Sequence, residues 1–193
     1  SCGGLRLLCG EGTFTDDIEL PGQLYASFLR SEVASGDIKE IDLAALKELD
    51  GVSGVFTEED VLSDGLRSPS CSWQIMDVSG EPMRAKSRPL LSSKNVKYVG
   101  QPIAMIVATS RKVAQQAVRK IKVHYDESRP VIDLNSALKS RLVHETLDNN
   151  TAFNWQLGDE EAVQQAFSCA AHVTSMQIVN NRLIAAPLET RAA

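Results

Sequence analysis

The sequence lacks any Cys-X-X-Cys pair, and its four cysteines stand apart at Cys2, Cys9, Cys71 and Cys169. Cys2 and Cys9 have no matching His or Cys nearby, so thiols in a reducing cytoplasm account for them better than a metal site. Cys71 and Cys169 have no basic or His neighbour of the kind that lowers a thiol pKa. Histidine is scarce too. His124, His144 and His172 are far apart and form no HxH or HExxH spacing, so none reads as a metal ligand or a general base. No apolar run approaches the roughly 20 residues of a membrane span. Residues 1–26 lack the basic start and apolar run of a secretory signal. The basic residues do not cluster: the densest group, Arg111, Lys112, Arg119, Lys120 and Lys122, suits the wet face of a helix. With a net charge of -5, this argues against a nucleic-acid groove. The chain is therefore expected to be cytoplasmic, with neither nucleic acid nor membrane as a partner.

Catalytic signatures are missing as well. Gly3, Gly4, Gly10 and Gly12 spell neither GxGxxG nor a P-loop, and no strand precedes them, so an irregular leader is expected there. No GxSxG elbow surrounds a serine. There is no internal repeat.

What is present is the material of a globular α/β protein. The chain has 193 residues, 43% hydrophobic and 23% charged, enough to bury a sizeable core. After a turn at Pro21-Gly22, Leu24 to Leu29 is apolar on both faces, as in a buried strand. Ser35 to Asp42 gives a second extended piece. Asp42 is placed to cap a helix over residues 43–49, which Asp50-Gly51 would end. Residues 52–56 read as a strand, and Thr57 and Asp60 have capping-box spacing for a short helix. From Ser63 to Pro89 the pattern dissolves into a long connection. Residues 94–108 predict two strands about a Gly-Gln-Pro turn, with Ile103 to Ala108 as a central strand. Ser110 caps a helix whose apolar stripe is Val113, Ala114, Ala117, Val118 and Ile121, and a strand with Val123 and Tyr125 inward completes a strand-helix-strand unit. A short strand and an Asp133-capped helix follow, then a polar stretch. Asp159 caps a helix beginning at Glu160, and residues 171–179 predict a last strand that leads into the tail.

The acidic groups have local explanations. Asp16 and Asp17 are adjacent and point different ways, so backbone acceptors in a turn are favoured over a shared acid/base site. Glu58, Glu59 and Asp60 suit a helix start rather than calcium.

Five stretches in order carry a resemblance: GEGTFTDDIELPGQLYASFLRS (Gly10 to Ser31), IKEIDLAALKELDGVSGVFTEEDV (Ile38 to Val61), RPLLSSKNVKYVGQPIAMIVATS (Arg88 to Ser110), VHYDESRPVID (Val123 to Asp133) and NNRLIAAPLETRAA (Asn180 to Ala193). Together they resemble the start of the molybdenum-binding large subunit of the xanthine dehydrogenase, aldehyde oxidase and carbon monoxide dehydrogenase family, in an order and spacing suited to bacterial members. The resemblance implies a mixed α/β (α+β) fold. An α/β hammerhead domain is expected over residues 12–133, a connecting segment over 134–154, and the incomplete start of a molybdenum-cofactor-binding domain over 155–193. Family members are oxidoreductases that hydroxylate aldehydes or aromatic heterocycles, or oxidise carbon monoxide. Their electrons leave through iron-sulfur clusters to FAD on partner subunits or segments. The cofactor-contacting loops and the catalytic glutamate lie downstream of this tail. No catalytic, cofactor-binding or metal residue is therefore expected here, no molybdopterin is expected to be bound by this region alone, and Glu189 is not read as catalytic. Two departures stand out: residues 32–37, EVASGD, replace a Pro-His-Ala-His type loop, and Gln101 stands where the turn usually carries Glu.

The run QIVNNRLIAAPLETRAA, Gln177 to Ala193, is apolar for a chain end and reads as the opening of a further domain. A second reading is a shorter, stand-alone binding or assembly module. Its tail would pack onto the body or into a homodimer, burying Leu183, Ile184 and Leu188 for roughly 1.5 to 3 kcal/mol each.

Overall fold

A computed structural model of the chain describes residues 2–46, 49–181, 183–187 and 189–193, with only the backbone at residues 2 and 3. Along it run α1 (Cys2–Leu8), β1 (Tyr25–Arg30), β2 (Gly36–Asp42), β3 (Val52–Phe56), α2 (Glu58–Ser63), β4 (Asn95–Val96), β5 (Pro102–Ala108), α3 (Arg111–Lys120), β6 (Lys122–Glu127) and α4 (Glu160–Cys169). The chain divides into two units, Leu24–Gln156, and Ser1–Gln23 with Leu157–Ala193.

The larger unit is built around β5. Its run Ile103, Ala104, Ile106 and Ala108 is buried because the strand lies in the middle of an antiparallel sheet, β1-β5-β3. Tyr25 pairs with Ala108, Leu29 with Ala104, and Val55 with Ile106. α3 packs on this sheet through Ala114 and Ala117, the latter fully buried, and the small side chains let helix and sheet approach closely. Ser110 Oγ accepts from Val113 N at 3.2 Å, which caps α3 as expected. A second antiparallel sheet, β4-β2-β6, contributes Val96, Ile38, Ile41, Val123 and Tyr125 to the same core. Gly36 and Gly51 are held to glycine for different reasons. A Cβ on Gly36 would sit 2.8 Å from Asp126 O, and Gly51 has φ +86°.

Several expectations change. β1 is an edge strand: Tyr25, Ser27 and Leu29 turn inward, whereas Ala26 and Phe28 stay exposed, so it is not buried on both faces. β4 and β5 belong to different sheets and form no hairpin. α3 likewise joins β5 of one sheet to β6 of the other, so this strand-helix-strand unit is not a crossover within one sheet. The helix expected over 43–49 is a 3-10 turn at Ala44–Leu46, where Ala44 N donates to Asp42 Oδ1 at 2.9 Å; Lys47 and Glu48 lie outside the described residues. The strand expected near Val131 does not form, since no described strand offers it a ladder. Asp133 instead caps the turn that precedes a 3-10 turn at Ala137–Lys139. The long connection holds a small hairpin. Asp77 N donates to Glu81 O, Met83 N donates to Ile75 O, and residues 152–154 run alongside through Val78 N to Asn154 O and Arg84 N to Ala152 O, each at 2.8–2.9 Å.

In the smaller unit the glycine-rich leader is helical rather than irregular: Leu5, Arg6, Leu7 and Leu8 are good helix formers, and Glu11 N closes the end onto Arg6 O at 2.8 Å. α4 forms with Asp159 Oδ1 accepting from Ala162 N at 2.9 Å. The strand expected at 171–179 is absent. Extended backbone needs a neighbour to hydrogen-bond, and no described segment pairs with it. The tail is bare, with Leu183 88% and Ile184 90% exposed; Leu188 lies outside the described residues.

Candidate functional site

The main cleft of the larger unit, about 410 Å³, opens where β2 and β6 meet the loop 141–146. Ser35, Asp37, Lys97, Asp126, Arg141 and His144 line it. Its cations are already engaged. Lys97 Nζ donates to Val143 O at 2.6 Å, and Arg141 donates through Nε to Arg129 O at 3.0 Å and through Nη2 to Ser35 Oγ. Ser35 Oγ also lies 3.0 Å from Ser128 Oγ. These bonds strap the loop to the sheet, and the EVASGD segment supplies one wall of the cleft. Burial, followed by the charges of Lys97 and Lys86, holds the His144 imidazole below its usual pKa. Among the described residues no side-chain bond joins His144 to a nucleophile, so the cleft does not assemble the chain of nucleophile, base and orienting group that acyl or phosphoryl chemistry needs.

Beside the cleft, Gln101 is 4% exposed and uses both ends of its amide. Nε2 donates to Ser92 Oγ at 2.6 Å and to Asn95 O at 3.4 Å, while Oε1 accepts from Lys97 N at 2.8 Å. Its backbone oxygen accepts from Ser31 N at 2.9 Å, tying β1 to the turn. A glutamate could accept from Lys97 N but could not donate to Asn95 O. The departure from the expected Glu is therefore matched by the acceptors around it.

The acidic candidates separate into local and long-range roles. Asp60 Oδ2 accepts from Thr57 N at 2.7 Å and from Thr57 Oγ1 at 3.0 Å, and these bonds hold its carboxyl below the usual range. Glu58 does more than start a helix: its Oε2 accepts from Ser93 N at 3.1 Å and from Ser93 Oγ. Asp17 accepts from Phe14 N at 2.8 Å, whereas Asp16 accepts from Thr190 Oγ1, so the two carboxyls do not share a site. Glu189 Oε1 accepts from Thr15 Oγ1 at 2.8 Å. His124 is exposed, and His172 Nε2 lies 3.1 Å from Thr174 Oγ1. Cys9, Cys71 and Cys169 are free and exposed; the Cys2 side chain lies outside the described residues. Among the described residues no group of three or more His, Cys, Asp or Glu could hold a metal. Sequence spacing had no means of finding Glu58–Ser93, Thr15–Glu189 or the ion pair of Arg84 with Asp148, because the partners are 35, 174 and 64 residues apart.

Two small antiparallel sheets thus share one core, with α3 packed against it through Ala114 and Ala117. The profile described as aldehyde oxidase and xanthine dehydrogenase, a/b hammerhead domain, matches residues 9–129. The chain belongs to the aldehyde oxidase and xanthine dehydrogenase family. Within that family, the nicotine 6-hydroxylase large subunit of Paenarthrobacter nicotinovorans is 34% identical over 189 residues, covering 96% of this chain and 22% of the relative. The carbon monoxide dehydrogenase large chain of Hydrogenophaga pseudoflava is 31% identical, covering 96% of this chain and 23% of the relative. The solved structure of the Cu,Mo-CO dehydrogenase superposes with a TM-score of 0.68 at 26% identity, over 88% of this chain and 22% of that one. The chain thus spans under a quarter of the length of these relatives. The relatives are named as a large subunit and a large chain, that is, as parts of multi-subunit assemblies. The hammerhead fold expected from the five quoted stretches is the one found. No helix among the described residues is long and apolar enough to cross a membrane.

Proposed function

We propose that this chain is the hammerhead region at the start of a molybdenum hydroxylase large subunit, and that it serves as scaffold rather than as the seat of the chemistry. The observation that carries this is the span of the match: almost the whole chain aligns with relatives of which it makes up under a quarter. On this reading residues 12–133 are the hammerhead, 134–154 the connection and 155–193 the first elements of the cofactor-binding domain. The complete enzyme would oxidise an aldehyde, an aromatic heterocycle or carbon monoxide, with iron-sulfur and FAD segments as electron partners. A cytoplasmic setting suits the free, exposed thiols.

Molybdopterin, which this reading implies for the complete enzyme, does not fit the residues present. A pterin with its phosphate needs donors aimed into a cavity. At the cleft beside β2 and β6, Lys97 and Arg141 already bond Val143 O, Arg129 O and Ser35 Oγ rather than pointing unpartnered into it. The purified chain is expected to contain no stoichiometric molybdenum and to support no aldehyde- or xanthine-dependent dye reduction. Metal analysis and a dye assay check this, and either signal from the chain alone overturns it.

A second reading, a stand-alone assembly module that dimerises, draws on the exposure of Leu183 and Ile184, since apolar surface of this kind invites association. Sedimentation over a hundredfold concentration range separates the two. A defined dimer whose tail resists protease favours the module, and a monomer with a protease-sensitive tail favours the scaffold.

A further inference from the structure

In the smaller unit, two distant stretches of chain meet through side chains rather than through a ladder. Thr15 Oγ1 donates to Glu189 Oε1 at 2.8 Å, and Thr190 Oγ1 donates to Asp16 Oδ1 at 2.7 Å. The bonds run in opposite directions between two pairs of adjacent residues, so each stretch gives one hydroxyl and takes one with a carboxylate. The receiving side is shaped in advance. Residues Thr15–Asp17 form a 3-10 turn in which Asp17 Oδ2 accepts from Phe14 N at 2.8 Å and Ile18 N donates to Thr15 O at 3.3 Å. We propose that Thr15, Asp16, Glu189 and Thr190 form a two-point clasp that fixes the course of the tail, with Glu189 as its acceptor and not as a reactive group.

The physical case rests on coupling. A single hydroxyl-carboxylate bond at an exposed site exchanges with water and holds little. When two such bonds join neighbouring residues on both sides, ordering the backbone for one places the other, so the entropy of fixing the segment is met once for both. The described side chains of the apolar run before the clasp, Ile178, Val179, Leu183 and Ile184, stay exposed, so the contacts that hold the end of this run are polar and not apolar burial. The clasp stands on these contacts and does not depend on the family assignment.

A double-mutant cycle on the full 193-residue chain tests it, read by hydrogen exchange of the peptide covering residues 189–193 and by the rate of tryptic release of the last two residues after Arg191. Thr15→Val and Thr190→Val each remove one hydroxyl with little change of shape. Each is expected to speed exchange and cleavage roughly threefold, and the double variant to add little to either single. Thr15→Ser, which keeps the hydroxyl, is expected to behave as the parent. Exchange in β5 and α3 reports that the body is still folded in every variant. The clasp is overturned if neither valine variant speeds the tail, or if the control Thr13→Val, an exposed threonine outside the contacts, speeds it equally.

Discussion

Gln101 shows how much a single buried amide can hold in place. It joins Ser92, Asn95 and Lys97 with one side chain, and its backbone meets Ser31. Gln101→Leu leaves Ser92 Oγ and Lys97 N without their partner in a buried place, and a loss of about 1–3 kcal/mol in unfolding free energy is expected from urea titration. Gln101→Glu keeps the Lys97 acceptor but faces Asn95 O with no donor, so the loss is expected to be smaller and to shrink as the carboxyl is protonated. Gly36 is limiting in a different way. A methyl there meets backbone, Asp126 O at 2.8 Å and Glu127 Cα at 3.1 Å, and backbone cannot rotate aside. Gly36→Ala is expected to cost about 1–3 kcal/mol by the same measurement, because β2 and β6 must move apart.

At the scale of elements, identical caps have unequal consequences. Ser110 and Asp159 each accept one backbone N–H at a helix start. α3 is packed through Ala114 and Ala117, so its helix forms with the core, and Ser110→Ala is expected to lower global stability by about 1 kcal/mol in thermal or urea unfolding. α4 buries nothing among its described residues, so Asp159→Ala is expected to reduce far-UV helicity without moving the main unfolding transition. The hairpin at residues 75–83 has its own pH dependence. Asp77 accepts from Ser79 N at 3.0 Å and from Asn154 N at 2.5 Å, and these bonds, aided by the Ser79 hydroxyl and Arg84, hold its carboxyl below the ordinary value. A depressed carboxyl stabilises the folded form above its unfolded pKa, and that contribution is lost as pH falls through the depressed value. Hydrogen exchange at Val78 and Arg84 is expected to stay protected at neutral pH and to quicken in acid before the protection of β5 does. Asp77→Asn is expected to flatten that dependence.

For the whole molecule, the contrast lies between a unit with a continuous core and a unit whose helices and tail are exposed. Limited proteolysis is expected to remove residues beyond about 157 early and to leave a resistant piece containing β1 to β6; survival of the tail with loss of the sheets would contradict this. Periodicity made α3, β5 and both caps legible, because a helix stripe or a buried strand writes its pattern into consecutive residues. The same reasoning placed a strand at 171–179 and another near Val131, where apolar residues alternate but no neighbour pairs with them. It also missed α1, where glycines concealed the run Leu5 to Leu8. The bonds that strap the cleft and the tail stayed hidden, since Lys97 to Val143 and Thr15 to Glu189 join residues that are close only after folding.

The sequence by itself determined the family and its hammerhead fold through the resemblance carried by five ordered stretches, and it determined the local starts and stops of the best-formed elements through side-chain period and caps within four residues. Tertiary structure alone decided that β4 and β5 part into different sheets, that β1 is an edge, that Gln101 needs an amide, and that Glu189 is held by Thr15. Each of these is set by which groups come within about 3 Å of one another, and pairing at that range is a property of the packed chain.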